Sequence, residues 1–186
     1  MATAAPPKLL TAEEFMALDL GEGMHELVRG EIIDVPPPML EHGIVCGNIT
    51  GLLFLYGRES GRGYVAGNDS AVVTARGPDT VRGADVCFYS HARLPRESVG
   101  RKLPPVAPDV VAEILSPGNR PAEALAKISE YLNAGVSLVL LVDPKSKQVG
   151  IYYPDEPFPV VLEESDFLEN LPELPGFRVR VGEFFV

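Results

Sequence analysis

Residues 108–135 read PDVVAEILSPGNRPAEALAKISEYLNAG, and this stretch decides the fold. Val110 to Leu115 is a short apolar run rich in β-branched residues, as expected of a strand buried on both faces. Ser116-Pro117-Gly118-Asn119 breaks the pattern. A helix is predicted from Pro121 to about Ala134, with Pro near its start and Gly135 just past its end. Ser137 to Val142 is a second apolar run. Strand, helix and strand in that order predict a crossover unit with two parallel strands. One carboxylate, Glu113, sits inside the first strand. Burying a lone ionised Glu costs several kcal/mol unless it is paired, so Glu113 requires a partner.

Working outward, Gln148–Tyr153 forms a third strand after the Pro144-Lys145-Ser146-Lys147 turn. Upstream, Tyr64–Ala66, Ala71–Thr74 and Asp85–Tyr89 read as strands, the last two a hairpin across Gly77-Pro78-Asp79. Residues 91–105 form a long loop carrying Arg93, Arg96, Arg101 and Lys102, the best candidates for contacting phosphates. Leu40–Tyr56 has apolar residues near helical spacing, and Gly43, Gly47 and Gly51 leave a smooth stripe along it. His25–Val35 reads as two short strands around Arg29-Gly30. Thr11 and Glu14 form a capping box opening a short helix. Phe177–Val181 and Phe184–Val186 are expected to close the chain as an edge hairpin. The fold class expected is α/β: a mixed sheet flanked by helices 41–56 and 121–134. Residues 1–9 read as a tail and 10–186 as one domain.

The 186 residues are 46% hydrophobic and 23% charged, an ordinary globular balance that leaves no room for a long disordered region. A net charge of −10 excludes indiscriminate coating of nucleic acid but leaves a carboxylate site for a metal open. Cys46 and Cys87 form no C-x-x-C pair. With no signal-peptide core and no run long enough for a membrane span, the chain reads as cytoplasmic.

Two readings of Glu113 are open: a structural ion pair, or a metal ligand. Asp85 supplies a second acid at the start of the preceding strand. Two carboxylates on adjacent strands plus a backbone carbonyl suit Mg²⁺, which takes oxygen ligands and keeps several waters. Asp109 is four residues before Glu113, roughly 13 Å along a strand, too far to share one ion. Lys127 lies on the following helix. It is either the i+4 partner of Glu123 on a solvated face or a cation reaching over the strand end. His25, His42 and His91 lack close spacing for zinc.

Asp85, then Glu113-Ile114-Leu115-Ser116-Pro117, then Lys127 and Tyr131, then Ala134-Gly135-Val136 and Val142-Asp143-Pro144, together resemble the Uma2 family, also called DUF820. That family belongs to the PD-(D/E)XK nuclease superfamily. His25-Glu26-Leu27-Val28-Arg29-Gly30-Glu31 and Glu41-His42-Gly43 match its N-terminal pattern. The likeness covers roughly residues 10–155. It implies a restriction-endonuclease-like core and a Mg²⁺-dependent endonuclease acting on DNA, with Mn²⁺ able to substitute. Asp85, Glu113 and the Ile114 carbonyl would hold the metal, Lys127 would serve as the catalytic cation, and Glu26 would lie at the rim. Three positions depart from the pattern. Ala84 replaces the superfamily Pro, Leu115 the Glu-x-Lys lysine, and Asn119 an Asp at the helix start. The rival is a catalytically inactive nuclease fold kept for binding or regulation. A homodimer is expected from the apolar ending GFRVRVGEFFV.

Overall fold

The computed structural model describes residues 8–100, 102–118 and 120–186. The sequence expectations at Arg101, Asn119 and residues 1–7 lie outside them. In chain order come helix α1 (Ala12–Met16), strands β1 (Met24–Val28) and β2 (Glu31–Val35), and helix α2 (Leu40–Ser60). Strands β3 (Gly63–Ala75), β4 (Thr80–Ser90) and β5 (Val110–Ile114) lead to helix α3 (Pro121–Asn133). Strands β6 (Leu138–Asp143), β7 (Gln148–Tyr152), β8 (Val160–Leu162), β9 (Phe167–Glu169) and β10 (Arg178–Arg180) complete the chain. Thr11 caps α1, and Glu14 returns a bond to the Thr11 amide, as the capping box requires.

An eight-stranded mixed sheet runs β2-β1-β4-β5-β6-β7-β8, with β3 also paired to β4. β5 and β6 are parallel, and α3 forms the crossover between them. Alternation along β5 sends Val110, Ala112 and Ile114 into the core beneath α2, with Val45, Ile49 and Leu53. Val111 packs on the other face against Ile128 and Tyr131 of α3. Glu113 shares parity with Val111 and so faces α3.

β4 is the frame of the site. One of its edges is taken by β3. The other is shared: β1 pairs at Val81, and β5 pairs at Val86–Phe88. Between those contacts, β1 and β5 part in a fork, and Arg82–Asp85 have no backbone ladder partner on that edge. A buried backbone group cannot be left without a partner cheaply, so side chains must take over there.

Two expectations need correction. Tyr64–Ala66 and Ala71–Thr74 are one strand, interrupted by a register shift between Gly67 and Ser70. Asn68 and Asp69 there adopt positive φ, which Asn and Asp tolerate better than most residues. The polar run mimics a turn, but the ladder absorbs it as a bulge. The chain end is no edge hairpin of the main sheet. β10 pairs with β9 in a separate two-stranded sheet, and Val181–Phe184 is a 3-10 turn. Phe177, Val179, Val181 and Phe184 are buried in the α2-side core. The apolar ending is therefore consumed within this chain, and the dimer expectation loses that ground.

Candidate active site

The fork is filled by carboxylates. Glu26 of β1 accepts from the Gly83 N–H through Oε1 (3.2 Å). Tyr131 of α3 sets its hydroxyl 2.7 Å from Glu113 Oε1 and 3.4 Å from the Gly83 carbonyl. Continuing the Val86–Ala112 register one step places Asp85 opposite Glu113. Asp85 Oδ2 accepts the Ile114 N–H at 2.7 Å. Strand peptides alternate in direction: the Leu115 N–H goes to Val142 on β6, whereas the Ile114 N–H points to the β4 side. The Ile114 carbonyl faces that same side, toward Asp85.

Two cations thread these acids. Lys127 Nζ lies 3.0 Å from Glu26 Oε1 and 3.5 Å from Glu113 Oε2. It turns away from Glu123, whose ion partner is Arg120 at 3.9 Å. Arg82 bonds Glu26 Oε2 at 2.8 Å and grips Glu130 of α3 at 2.7 and 2.9 Å. From α2, His42 Nε2 sits 3.2 Å from Asp85 Oδ2, and Cys46 Sγ lies 3.4 Å from His42 Nδ1. One-turn spacing on α2 stacks His42 and Cys46 on one face.

Burial opposes charge on Glu26, but Lys127 and Arg82 outweigh it and hold its pKa below the usual value. Glu113 goes the other way. Burial, with Asp85 beside it, pushes its pKa up to about 7 despite Lys127 and the Tyr131 hydrogen bond. His42 is raised to about 10, first by its hydrogen bond to Asp85 and then by Cys46, so it is an imidazolium at neutral pH. Lys127 is raised although burial works against it, because Glu113 and Glu26 flank it. Four acids, Glu26, Asp85, Glu113 and Glu130, thus face three cations, Arg82, Lys127 and His42. The cluster is at least one positive charge short, because Asp69 also lies near enough to interact with Asp85 and Glu26, and Glu113 carries the deficit. All-oxygen donors around such a deficit fit a hard divalent cation.

The four sequence-predicted acids and bases, Glu26, Asp85, Glu113 and Lys127, thus share one ionic cluster. Glu26 faces inward, 7% exposed, rather than toward bulk solvent. Asp109 stays apart, as its spacing required: its carboxylate takes the Ser90 N–H at 2.7 Å and Arg93 at 3.0 Å. Arg93 is a correction. It donates to the Ala107, Pro108 and Gly135 carbonyls and to Ser137 Oγ, so it staples the loop rather than waiting for phosphate. His42 was legible only as a family-pattern residue without zinc spacing, yet it is buried against Asp85. Arg82 and Cys46 had no sequence signal beyond position. The one signal available was the i,i+4 spacing of His42 and Cys46.

One cleft opens on the cluster at Glu26, and another lies past the end of β5, beside the start of α3. The first, about 230 Å³, is lined by Met24, Glu26, Asn68, Asp69 and Gly83. The other, about 660 Å³, runs along Glu41, Leu115, Pro117, Pro121 and Lys145.

The sequence profile of Uma2, described as "putative restriction endonuclease", matches residues 12–182. The chain belongs to the Uma2 family. A solved structure described as a "putative nuclease belonging to DUF820" from Anabaena variabilis superposes with a TM-score of 0.80. It is 21% identical, and the match covers 95% of this chain and 97% of that one. The Uma2 chain therefore shares its fold with that protein. No curated protein matches the chain. Among the described residues, no helix is long and apolar enough to cross a membrane.

Proposed function

We propose that this Uma2 protein is a metal-dependent endonuclease that hydrolyses phosphodiester bonds in DNA. The observation that carries the reading is the placement of Lys127, 3.0 Å from Glu26 and 3.5 Å from Glu113, beside a carboxylate pair short of positive charge. Asp85, Glu113 and the Ile114 carbonyl would hold Mg²⁺, with Mn²⁺ able to replace it. The ion would lower the pKa of a bound water and polarise the phosphoryl oxygens.

The chain's own residues do the rest. Asp85 is fixed by the Ile114 amide and His42, and Glu113 by the Tyr131 hydroxyl, so neither carboxylate must reorganise. Lys127 orients the attacking water from Glu113 and offsets the charge that builds on the phosphoryl oxygens. Glu26, itself locked by Arg82 and the Gly83 amide, aims the Lys127 ammonium. The lysine arrives from α3 instead of from position 115, and its long flexible stem makes the substitution geometrically cheap.

A second reading, binding without cleavage, is favoured by one observation. Both Arg82 and Lys127 are already paired to carboxylates, on a chain of net charge −10. Supercoiled plasmid and single-stranded DNA, each with Mg²⁺ or Mn²⁺, separate the two. Cleavage by the parent, reduced about 10²–10³-fold in a Lys127→Ala variant that remains folded at the assay temperature despite a lowered melting temperature, supports the enzyme. A parent that binds DNA and never cleaves it overturns the nuclease reading.

A further inference from the structure

Asp85 Oδ2, which accepts the Ile114 N–H, also meets the imidazole of His42, a different chemistry. His42 and Cys46 stand one turn apart on α2, and among the described residues they form with Asp85 a group able to hold a metal. One ligand atom from each lies within 4.8 Å of the others, so shifts of about 1 Å or less in the side chains bring all three onto the roughly 3.3–3.8 Å edges of a tetrahedral ion. The His42 Nε2 to Asp85 Oδ2 separation of 3.2 Å has the length of a tetrahedral edge built on zinc bonds of about 2.0 Å, while Cys46 Sγ stands 3.4 Å from the other ring nitrogen, Nδ1, so the ring has to turn to bring all three onto one ion. Cys46 is half-buried and free, and His42 is buried, so neither ligand has to be drawn in from solvent.

We propose that His42, Cys46 and Asp85 form a second cation site, selective for Zn²⁺ over Mg²⁺, that shares Asp85 with the hard-oxygen site. Imidazole and thiolate are borderline and soft donors, which Zn²⁺ accepts and Mg²⁺ does not. The ion replaces the proton between His42 and Asp85 and the proton of the Cys46 thiol, and both protons leave to solvent. The ring turns so that one nitrogen and the sulfur face the same ion, and water completes the tetrahedron. Burial, and after it Asp85, raises the Cys46 thiol above its usual pKa, so the ion has to displace that proton; burial likewise raises Asp69 at the β3 bulge, with Asp85 adding to it.

The consequence for cleavage rests on the nuclease reading. An Asp85 engaged by Zn²⁺ is withdrawn from Glu113, so Zn²⁺ inhibits the Mg²⁺-dependent reaction. The binding itself stands without that reading and is tested separately. Co²⁺ is titrated into the purified, reduced full chain, and the near-ultraviolet thiolate-to-cobalt band is followed. One equivalent is expected to produce the band, one equivalent of Zn²⁺ to abolish it, and Mg²⁺ in large excess to leave it in place. Cys46→Ala is expected to lose the band and to bind Zn²⁺ at least about 10-fold more weakly, with an unchanged circular dichroism spectrum. Cys87→Ala controls for the other thiol, and Glu113→Gln is expected to keep the band. A parent without the band, or a band that survives Cys46→Ala, overturns the proposal. A band lost in Cys46→Ala from a parent that cleaves no nucleic acid supports the zinc site and removes only its regulatory consequence.

Discussion

Replacing Glu113 by Gln is expected to stabilise the metal-free protein at alkaline pH. The ordinary pKa of this carboxyl is 4.5, and burial beside Asp85 pushes it up to about 7. A raised acid takes up a proton on folding. It therefore costs nothing below pH 4.5, where both states are protonated, and the penalty grows as pH rises to about 7. Above that, the folded state holds a charge that water would solvate better. The gap corresponds to roughly 3 kcal/mol at about 1.4 kcal/mol per pH unit. Gln keeps the shape, carries no charge and can accept from Tyr131. For a chain of this size, about 3 kcal/mol is worth roughly 6–12 °C in melting temperature. The assay is thermal unfolding in a chelator from pH 4.5 to 8.5. The two proteins should converge at the acid end, and Glu113→Gln should melt higher above pH 7. Millimolar Mg²⁺ or Mn²⁺ should then raise the parent and leave the variant unmoved. If Glu113→Gln melts lower than the parent at pH 8, the Lys127 ion pair outweighs desolvation, and the idea of a site short of positive charge is wrong.

Arg82→Ala strips Glu130 of its cation and leaves Glu26 with Lys127 alone, and should cost about 2–4 kcal/mol in denaturant unfolding because it deepens the shortage of positive charge around buried carboxylates. Tyr131→Phe removes the hydrogen bond that lowers the pKa of Glu113, so any metal-dependent activity should move its acid limb to higher pH; an unmoved limb would show that Glu113 does not titrate in that profile. Asp109→Ala should lose about 1–3 kcal/mol of stability by freeing the Ser90 amide and Arg93, with divalent-metal affinity by calorimetry unchanged.

The central crossover was legible because β5, α3 and β6 each carry an unambiguous local signal: a β-branched run, a Pro-to-Gly bounded helix, a second run. Glu113 was legible for the same reason, since a charge amid Val111, Ala112 and Ile114 has to be answered. Lys127 was ambiguous. Its i,i+4 relation to Glu123 is a surface pattern, and only the position of Glu26 on a distant strand decides which way the ammonium goes. Arg82 and His42 could not be placed from periodicity, because the fork in β4 depends on where β1 ends and β5 begins pairing, a long-range property. The chain end misled for a related reason. A run such as Phe177–Val186 announces burial but not against what, and here the cover comes from α2 and the β9–β10 pair.

The two ends of α2 have different freedom to change. Near its C-terminus, a Cβ on Gly57 would lie 2.6 Å from the Gly63 carbonyl oxygen, so helix and strand meet there backbone to backbone. Asn48 and Tyr56 tie the same helix to the carbonyls of Phe184 and Pro175. At its N-terminus, Met39 and Leu40 are exposed, and Gly43 and Gly47 look onto open space. The helix is thus a bracket fastened along its buried face, by His42, Val45 and Ile49, and at its C-terminal end, with only the outer face of its first turns unfastened. Changes at the exposed positions Met39, Leu40, Gly43 and Ile44 alter the surface beside His42 without touching its bond to Asp85, while the close approach of Gly57 to Gly63 holds the architecture constant.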